Sequence, residues 1–199
     1  MNALVKKTIL ALMLCLPLAM TAQKGGAGDA KYLAGAVPTE NGYVTFKQIF
    51  NTDGVTREQV FLALMDYAQQ ALVKGPDALS KARIIEADTL GGLVVVSMEE
   101  YLYFKRKAWT SDRVRFNYQL IFRAMDGGFA AEMRRLTYQY DDVPNTELRR
   151  AEDWIVDAVA LTEDGKALKK KPGKHRRCII DRKEAIFNGA LEWVKKLLA

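Results

Sequence analysis

The chain contains one pair of residues that could support nucleophilic catalysis, His175 and Cys178. A catalytic thiol needs a neighbouring base, and nearby Lys and Arg side chains could lower the pKa of the Cys178 thiol. The apolar run from Cys178 to Ile180 favours the alternative, in which the thiol is inert at the start of a core helix and His175 lies in solvent. We therefore expect no catalytic role for this pair.

Adjacent carboxylates are the other candidates for catalysis. The pairs are Glu99-Glu100, Asp141-Asp142 and Glu152-Asp153. Successive residues of a strand point to opposite faces of a sheet, so Glu99 and Glu100 cannot share one substrate. We interpret all three pairs as solvated charges. The alternative is a hydrolase whose carboxylates are brought together only by the fold.

The chain offers little for a metal or a cofactor. Its single histidine and two cysteines supply no histidine cluster and no pair of thiolates for zinc. The glycine pairs at 91–92 and 127–128 lack the strand-to-helix context of a phosphate-binding loop, and we interpret them as turns. No catalytic residue, metal or cofactor is predicted.

Tyrosine and arginine side chains are predicted to share the polar face of a sheet. They are Tyr101, Tyr103, Arg113, Arg115 and Arg123, with Asn117 and Gln119 between them. Tyr and Arg are frequent in recognition surfaces because they combine contact area with directional hydrogen bonding. We treat this face as a candidate binding surface, and an ordinary solvated sheet face is the alternative.

A run of seven cations without an acid is the second candidate surface. It comprises Lys166, Lys169, Lys170, Lys171, Lys174, Arg176 and Arg177. Gly165, Pro172 and Gly173 predict a basic loop over 163–177. Such a loop would attract an anionic glycan, a lipid surface or an acidic envelope protein, most of all through Lys169, Lys170, Lys171 and Lys174. A solvated loop that binds nothing is the alternative.

The first 22 residues have the layout of a cleavable signal peptide. Lys6 and Lys7 precede an apolar run from Thr8 to Met20, and Ala22 offers a small residue before the cut. The run is too short for a stable membrane span of about 20 residues. Leu14, directly before Cys15, is bulky where a lipid-attachment site normally has Gly, Ala or Ser, which argues against a lipid anchor. We expect a secreted or periplasmic protein that begins at Gln23 and has no transmembrane segment.

Composition and charge fit a folded exported domain. The chain has 199 residues, of which 49% are hydrophobic and 27% are charged, so disorder throughout is excluded. The net charge is +6, and it falls to +4 once the two lysines of the signal peptide are removed. Without the seven cations of the basic run it would be −3, so the basicity is local. Export also argues against a nucleic acid partner.

The periodicity of the remaining chain predicts an α+β domain over 32–199, after a flexible leader over 23–31. A strand over 43–50 is followed by a helix over 56–73, for which Thr56 and Gln59 form a capping box. Period-two runs over 82–90, 93–104, 112–124 and 129–140 predict an antiparallel meander, with a bulge near Arg134 where the phase changes. Helices are predicted over 147–161 and 181–198, which gives the order β-α-β-β-β-β-α-α.

Several of these segments resemble a family of secreted bacterial domains of unknown function. They are the stretch from Tyr32 to Pro38, the strand from Gly42 to Phe46, the amphipathic helix, the meander, and the stretch from Ala151 to Ile155 with its basic continuation. The similarity covers about residues 32–198. The family is described as TBP-like, which implies a curved antiparallel sheet with helices on one face. It has no established activity to transfer, and the label does not imply DNA binding.

The sequence therefore predicts an exported, non-enzymatic module that binds or scaffolds a partner at the cell envelope. The partner is an unknown envelope protein or an anionic glycan or lipid surface. The opposing prediction is the carboxylate-based hydrolase.

Overall fold

The computed structural model describes residues 30–107, 110–140 and 147–198. Within these residues, seven strands form one sheet. The strands are Thr39–Glu40 (β1), Tyr43–Asn51 (β2), Arg83–Asp88 (β3), Leu93–Lys107 (β4), Thr110–Met125 (β5), Gly128–Gln139 (β6) and Arg149–Arg150 (β7). The helices are Arg57–Asp66 (α1), Asp157–Ala160 (α2) and Lys170–Leu198 (α3).

The sheet is antiparallel and open, with the order β1-β2-β6-β5-β4-β3, and β7 pairs with β6. The predicted meander is confirmed, since β3, β4, β5 and β6 pair with one another in chain order. The polar stretch over 105–112, between the second and third predicted runs, is expected to be a turn, but the turn is shorter. Both strands continue into it, to Lys107 and from Thr110, and Lys107 pairs with Thr110.

A bulge interrupts β6 where the sequence changes phase. Asn117 pairs with Thr137, whereas Gln119 pairs with Arg134, so β6 has one residue more than β5 across this interval. Arg135 takes a positive φ of 57° within the bulge. This extra residue returns the apolar side chains of β6 to the same face on both sides of the bulge, as predicted.

Close approach of the backbone explains one glycine of the β5–β6 turn. A Cβ atom built on Gly128 would lie 2.1 Å from the carbonyl oxygen of Phe50, on the neighbouring strand β2. Only glycine allows β2 to pair with β6 at this point.

The helix after β2 begins as predicted. The Thr56 side chain accepts a hydrogen bond from the backbone N–H of Gln59, and the Gln59 side chain accepts one from the backbone N–H of Thr56. This is a complete capping box. Beyond Asp66 the helix continues with π-type hydrogen bonding from Tyr67 to Val73.

The helices α1 and α3 pack against one face of the sheet, and they bury the apolar positions of the alternating strands. Val114, Phe116, Leu120, Leu64 and Val194 are each 1% exposed or less. The apolar spacing of the helix predicted over 181–198 also places Leu191 in this core, but Leu191 is only partly buried. It lies at the edge of the helical stripe, whereas Phe187 and Val194 lie at its centre.

The basic segment is not the loop that the sequence predicts. Helix α3 starts at Lys170 instead of Asp181 and includes both Pro172 and Gly173. Pro172 lies in the first turn, where a missing N–H costs nothing because no partner exists within the helix. A Cβ on Gly173 would lie 2.6 Å from the Cβ of Leu168, so this glycine permits close packing and does not break the helix.

The helix predicted over 147–161 is also wrong. This segment contains the short strand β7, a 3-10 turn over Ala151–Asp153 and the single turn of α2. Its apolar residues still enter the core, since Ala151, Ile155 and Ala160 are each fully buried. The spacing that suggested a helix reflects burial of an irregular segment.

Parts of the predicted organisation lie outside the described residues. They are the signal peptide over 1–22, most of the leader, and Asp141-Asp142. The end of the leader lies within the described residues. Ala30–Tyr32 is a 3-10 turn, and the Lys31 Nζ lies 2.6 Å from an oxygen of Asp181 and 2.9 Å from one of Glu184.

Candidate functional site

The predicted tyrosine and arginine cluster is present on the face of the sheet that the helices do not cover. Tyr101 pairs with Arg115, and Tyr103 pairs with Arg113, across the β4–β5 ladder. The Arg113 guanidinium lies 3.8 Å from the centre of the Tyr101 ring, and its NH1 lies 3.4 Å from the Tyr103 hydroxyl. Cation–π contact therefore holds these side chains together in one partly exposed group.

A buried carboxylate continues this surface. Glu99 is only 3% exposed, and its Oε1 lies 3.3 Å from Arg115 NH1 and 3.7 Å from Lys81 Nζ. The prediction that Glu99 is solvated is wrong, because two cations from neighbouring positions enclose it. A paired, buried carboxylate is costly to separate from its partners.

Glu100 lies on the opposite face, beneath the helices. Arg182 of α3 binds it in a bidentate pair, with Nε–Oε1 and NH2–Oε2 distances of 2.7 and 2.5 Å. The Tyr118 hydroxyl donates to Glu100 Oε1 at 2.9 Å, and burial raises the pKa of Tyr118 well above its usual value. The prediction that Glu100 is solvated is therefore wrong as well. The cation that neutralises it lies 82 residues further along the chain.

The third pair of carboxylates is divided between interior and solvent. Glu152 accepts a hydrogen bond from the backbone N–H of Val44 at 2.6 Å, and its side chain is 13% exposed. Asp153 is exposed. The interpretation of this pair as solvated therefore holds for Asp153 and is wrong for Glu152, which fastens the start of β2 to the 3-10 turn.

A shallow depression of about 360 Å³ crosses the uncovered face at the level of the bulge. Arg135 lines it from β6, Asn117 and Gln119 from β5, Ser97 and Glu99 from β4, and Arg83 with Lys81 from the β3 side. The sequence marked the bulge but assigned no site to it. The depression depends on four strands lying side by side, which no local pattern reveals.

Arg123 lies apart from this group, at the other end of the uncovered face. It is exposed and lines a smaller hollow of about 180 Å³ with Ile49, Ile121 and Ala130. The structure therefore brings together four of the five residues predicted on this face and separates Arg123 from them.

The cations of the basic segment have different environments. Lys169, Lys170 and Lys171 are exposed at the start of α3. Lys174 forms an ion pair with Asp112 of β5. The predicted group of four candidate binding lysines is thus divided into three at the start of α3 and one, Lys174, whose charge is paired with Asp112.

Arg176 is fully buried, contrary to its interpretation as one cation of a solvated loop. It donates to the carbonyl oxygens of Tyr32, Leu33 and Ile155, each at 2.6 Å. Its NH2 also lies 2.7 Å from Asp157 Oδ1. This side chain ties the segment before β1 and the segment before α2 to helix α3.

His175 is enclosed by aromatic rings instead of solvent. The rings of Phe104, Tyr138 and Trp154 have centres 4.4, 5.2 and 5.2 Å away, and the Tyr140 hydroxyl lies 3.3 Å from Nε2. Burial lowers the pKa of His175 to about 4, and the nearby Lys174 contributes to the lowering. Its expected position in solvent is wrong, because α3 starts early enough to place it inside.

Cys178 is half-buried, and burial raises the pKa of its thiol. The Lys and Arg residues near it in sequence do not outweigh this effect. A thiol with a raised pKa is a poor nucleophile at neutral pH.

Within the described residues, no group of three or more His, Cys, Asp or Glu side chains is arranged to hold a metal ion. No helix in this part of the chain is long and apolar enough to cross a membrane.

Comparison with known proteins identifies the domain. Residues 46–139, which run from β2 to the end of β6, match the family model described as a domain of unknown function (DUF4468) with TBP-like fold. The sequence predicts a resemblance to this kind of family, and the match confirms that resemblance for these residues. No curated protein matches the chain.

Solved structures agree with this assignment. A DUF4468 family protein from Bacteroides ovatus is 27% identical, with a TM-score of 0.76, over 83% of this chain and 94% of that one. A TBP-like protein from Parabacteroides distasonis is 18% identical, with a TM-score of 0.63, over 80% of this chain and 97% of that one. The predicted TBP-like α+β fold is confirmed.

Proposed function

We propose that this chain is an exported, non-enzymatic binding module of the bacterial cell envelope whose ligand contacts the uncovered face of the sheet. One observation carries the proposal. The helices pack on one face, whereas the other presents an ordered group of Tyr and Arg side chains led by the Arg113–Tyr101 stack. Pre-ordered side chains lose little entropy on binding, which favours a recognition surface.

Export is supported by the sequence of the first 22 residues. Lys6 and Lys7, the apolar run and the small residue Ala22 have the order and length of a secretory signal. A mature chain that begins at Gln23 would retain every element of the domain.

The absence of catalysis is proposed because the candidate catalytic groups have other roles. Glu99 and Glu100 are ion-paired on opposite faces, so neither is placed to share a substrate with the other. His175 is packed among aromatic rings, and the pKa of Cys178 is raised. These environments favour stability over proton transfer or nucleophilic attack.

Retention of envelope components by the immobilised chain tests this proposal. The mature chain is incubated with a detergent extract of the envelope, and the retained material is quantified for each variant. We expect Tyr101→Ala/Arg113→Gln to lose most of the retained ligand, because it removes both partners of the stack.

The matched control is Lys195→Gln/Leu197→Ala, which removes one cation and one large side chain from the exposed surface of α3. This variant should retain the ligand as the parent does. Equal retention by both variants, or loss only in the control, would contradict a ligand on the uncovered face.

A further inference from the structure

We propose that the depression at the β6 bulge binds an acidic oligosaccharide that lies across the strands, held by Arg135 at one end and by Arg83 and Lys81 at the other. This inference rests on the proposed function and names the ligand class and its site. It involves residues that neither the family description nor the related structures assign.

The residues of the depression form a row across four adjacent strands. The sheet order β6-β5-β4-β3 places Arg135 at one end, the amides of Asn117 and Gln119 next, then Glu99, and finally Arg83. Three strand spacings separate the ends, which is about 14 Å. The row is therefore elongated, with cations at both ends and two amides and an ion-paired carboxylate between them.

Backbone strain indicates that Arg135 has a role of its own. Its φ of 57° is uncommon for a side chain larger than asparagine. Gly would adopt this conformation without strain, and Asn at little cost, so nothing in the bulge itself requires arginine. Bulges often redirect a side chain towards a binding site, and strained residues concentrate at such sites. The exposed Arg135 side chain is directed to the depression.

The charge of the depression favours an anion. Lys81, Arg83 and Arg135 line it, and the one carboxylate among its lining residues, Glu99, is already paired with Arg115 and Lys81. Three cations therefore line the depression beside a single carboxylate, whose charge is already neutralised. Arginine is suited to carboxylates because its guanidinium can bind both oxygens at once.

The uncharged hydrogen-bonding side chains in the middle of the row favour a sugar over other anions. The side chains of Asn117, Gln119 and Ser97 offer donors and acceptors for hydroxyl groups. The depression is open, so it offers no enclosed space for an acyl chain. A linear chain of about three or four uronic acid rings spans the 14 Å between the cationic ends.

Calorimetric titration of the mature chain with tetragalacturonate tests this inference, with maltotetraose as a neutral tetramer of similar length. We expect binding of the acidic tetramer, weakened by salt, and no binding of the neutral one. Arg135→Gly and Arg83→Gln should each weaken the affinity about tenfold, as expected for loss of one charged hydrogen bond. Arg135→Gly relieves the strained φ, so its melting temperature should equal or exceed that of the parent.

Arg123→Gln is the matched control, since it removes one arginine from the same face outside the depression. It should bind as the parent does. The inference is overturned if tetragalacturonate does not bind, if Arg135→Gly binds it equally well, or if Arg123→Gln loses as much affinity. It is also overturned if phosphatidylglycerol vesicles, and not the sugar, bind in an Arg135-dependent way. A failure here combined with loss of envelope retention in Tyr101→Ala/Arg113→Gln would leave the proposed function standing.

Discussion

Glu99 and Glu100 are neighbours in the chain and are both almost fully buried, yet their carboxylates lie on opposite sides of the sheet. Glu100 faces the helices and binds Arg182, while Glu99 faces the uncovered side and binds Arg115. Alternation along β4 sends one charge towards the fold and the other towards the surface. Glu100 therefore stabilises the fold, and we assign Glu99 to the proposed binding surface.

The Glu100–Arg182 pair gives the first prediction. Arg182→Met leaves Glu100 buried without its cation, and we expect the free energy of unfolding to fall by about 3 kcal/mol. The double variant Glu100→Gln/Arg182→Met removes both charges and should recover at least half of that loss. Urea denaturation measures both. Equal stability of the single variant and the parent would show that the pair contributes nothing to the fold.

The burial of His175 predicts a loss of stability in acid. The folded chain binds a proton on His175 only near pH 4, whereas the ordinary pKa is 6.5. Between these values the unfolded chain binds the proton more readily, so the free energy of unfolding falls as the pH drops. The contribution of this residue is about 3 kcal/mol across that range.

The measurement compares urea denaturation of the parent and His175→Phe at pH 7.5 and pH 4. Phenylalanine keeps an aromatic ring among Phe104, Tyr138 and Trp154 and cannot titrate. Lys171, Lys174, Asp112 and Arg149 also act on His175, but all four are present in both proteins and largely cancel in the comparison. A parent that loses no more stability in acid than His175→Phe would contradict the assignment.

The early start of helix α3 predicts an unusual sensitivity at Gly173. Alanine normally stabilises a helix relative to glycine, but here its Cβ would meet Leu168. We expect Gly173→Ala to lower the melting temperature, whereas Gly189→Ala, whose Cβ meets the end of the Tyr67 side chain, should be less harmful. Thermal denaturation followed by circular dichroism tests this. A raised melting temperature for Gly173→Ala would mean that residues 170–180 do not pack as a helix against Leu168.

The proposal of export predicts the start of the mature protein. N-terminal sequencing of the chain from the envelope fraction should begin at Gln23, after removal of the segment that ends at Ala22. An intact Met1 would show that the segment is not cleaved. A lipid on Cys15 would show that the protein is anchored to a membrane and does not start at Gln23.

The fold was largely predictable because its signals are local. Alternation from Val114 to Phe122 specified which face of β5 is buried, and the change of phase near Arg134 located the bulge. Thr56 and Gln59 marked the start of α1 through a pairing three residues apart. Each of these features depends on neighbours in the sequence, so a single chain suffices to detect it.

The errors arose where distant contacts decide the outcome. Arg176 was assigned to a solvated run because its neighbours are cations, but carbonyl groups from two distant segments satisfy it in the interior. Pro172 and Gly173 signal a loop in isolation, whereas their positions in the first turn of α3 permit both. The charges of Glu99 and Glu100 are neutralised by partners 16 and 82 residues away.

The candidate site was only partly predictable. Tyr101, Tyr103, Arg113 and Arg115 share a ladder of two strands, and alternation was enough to place them together. Arg135 lies on β6 and Arg83 on β3, at opposite ends of a row of four strands. Their placement on one surface could be recognised only from the order of the strands in the sheet.

Photo-crosslinking in cells that export the full chain tests the central claim, that the uncovered face of the sheet contacts the ligand. A benzophenone amino acid is placed at Gln119 on this face, or at Asn188 on the exposed side of α3. Irradiation followed by electrophoresis of the envelope fraction then reports adducts of the chain. We predict an adduct from position 119 and none from position 188. An adduct from position 188 alone, or equal adducts from both, would contradict the claim.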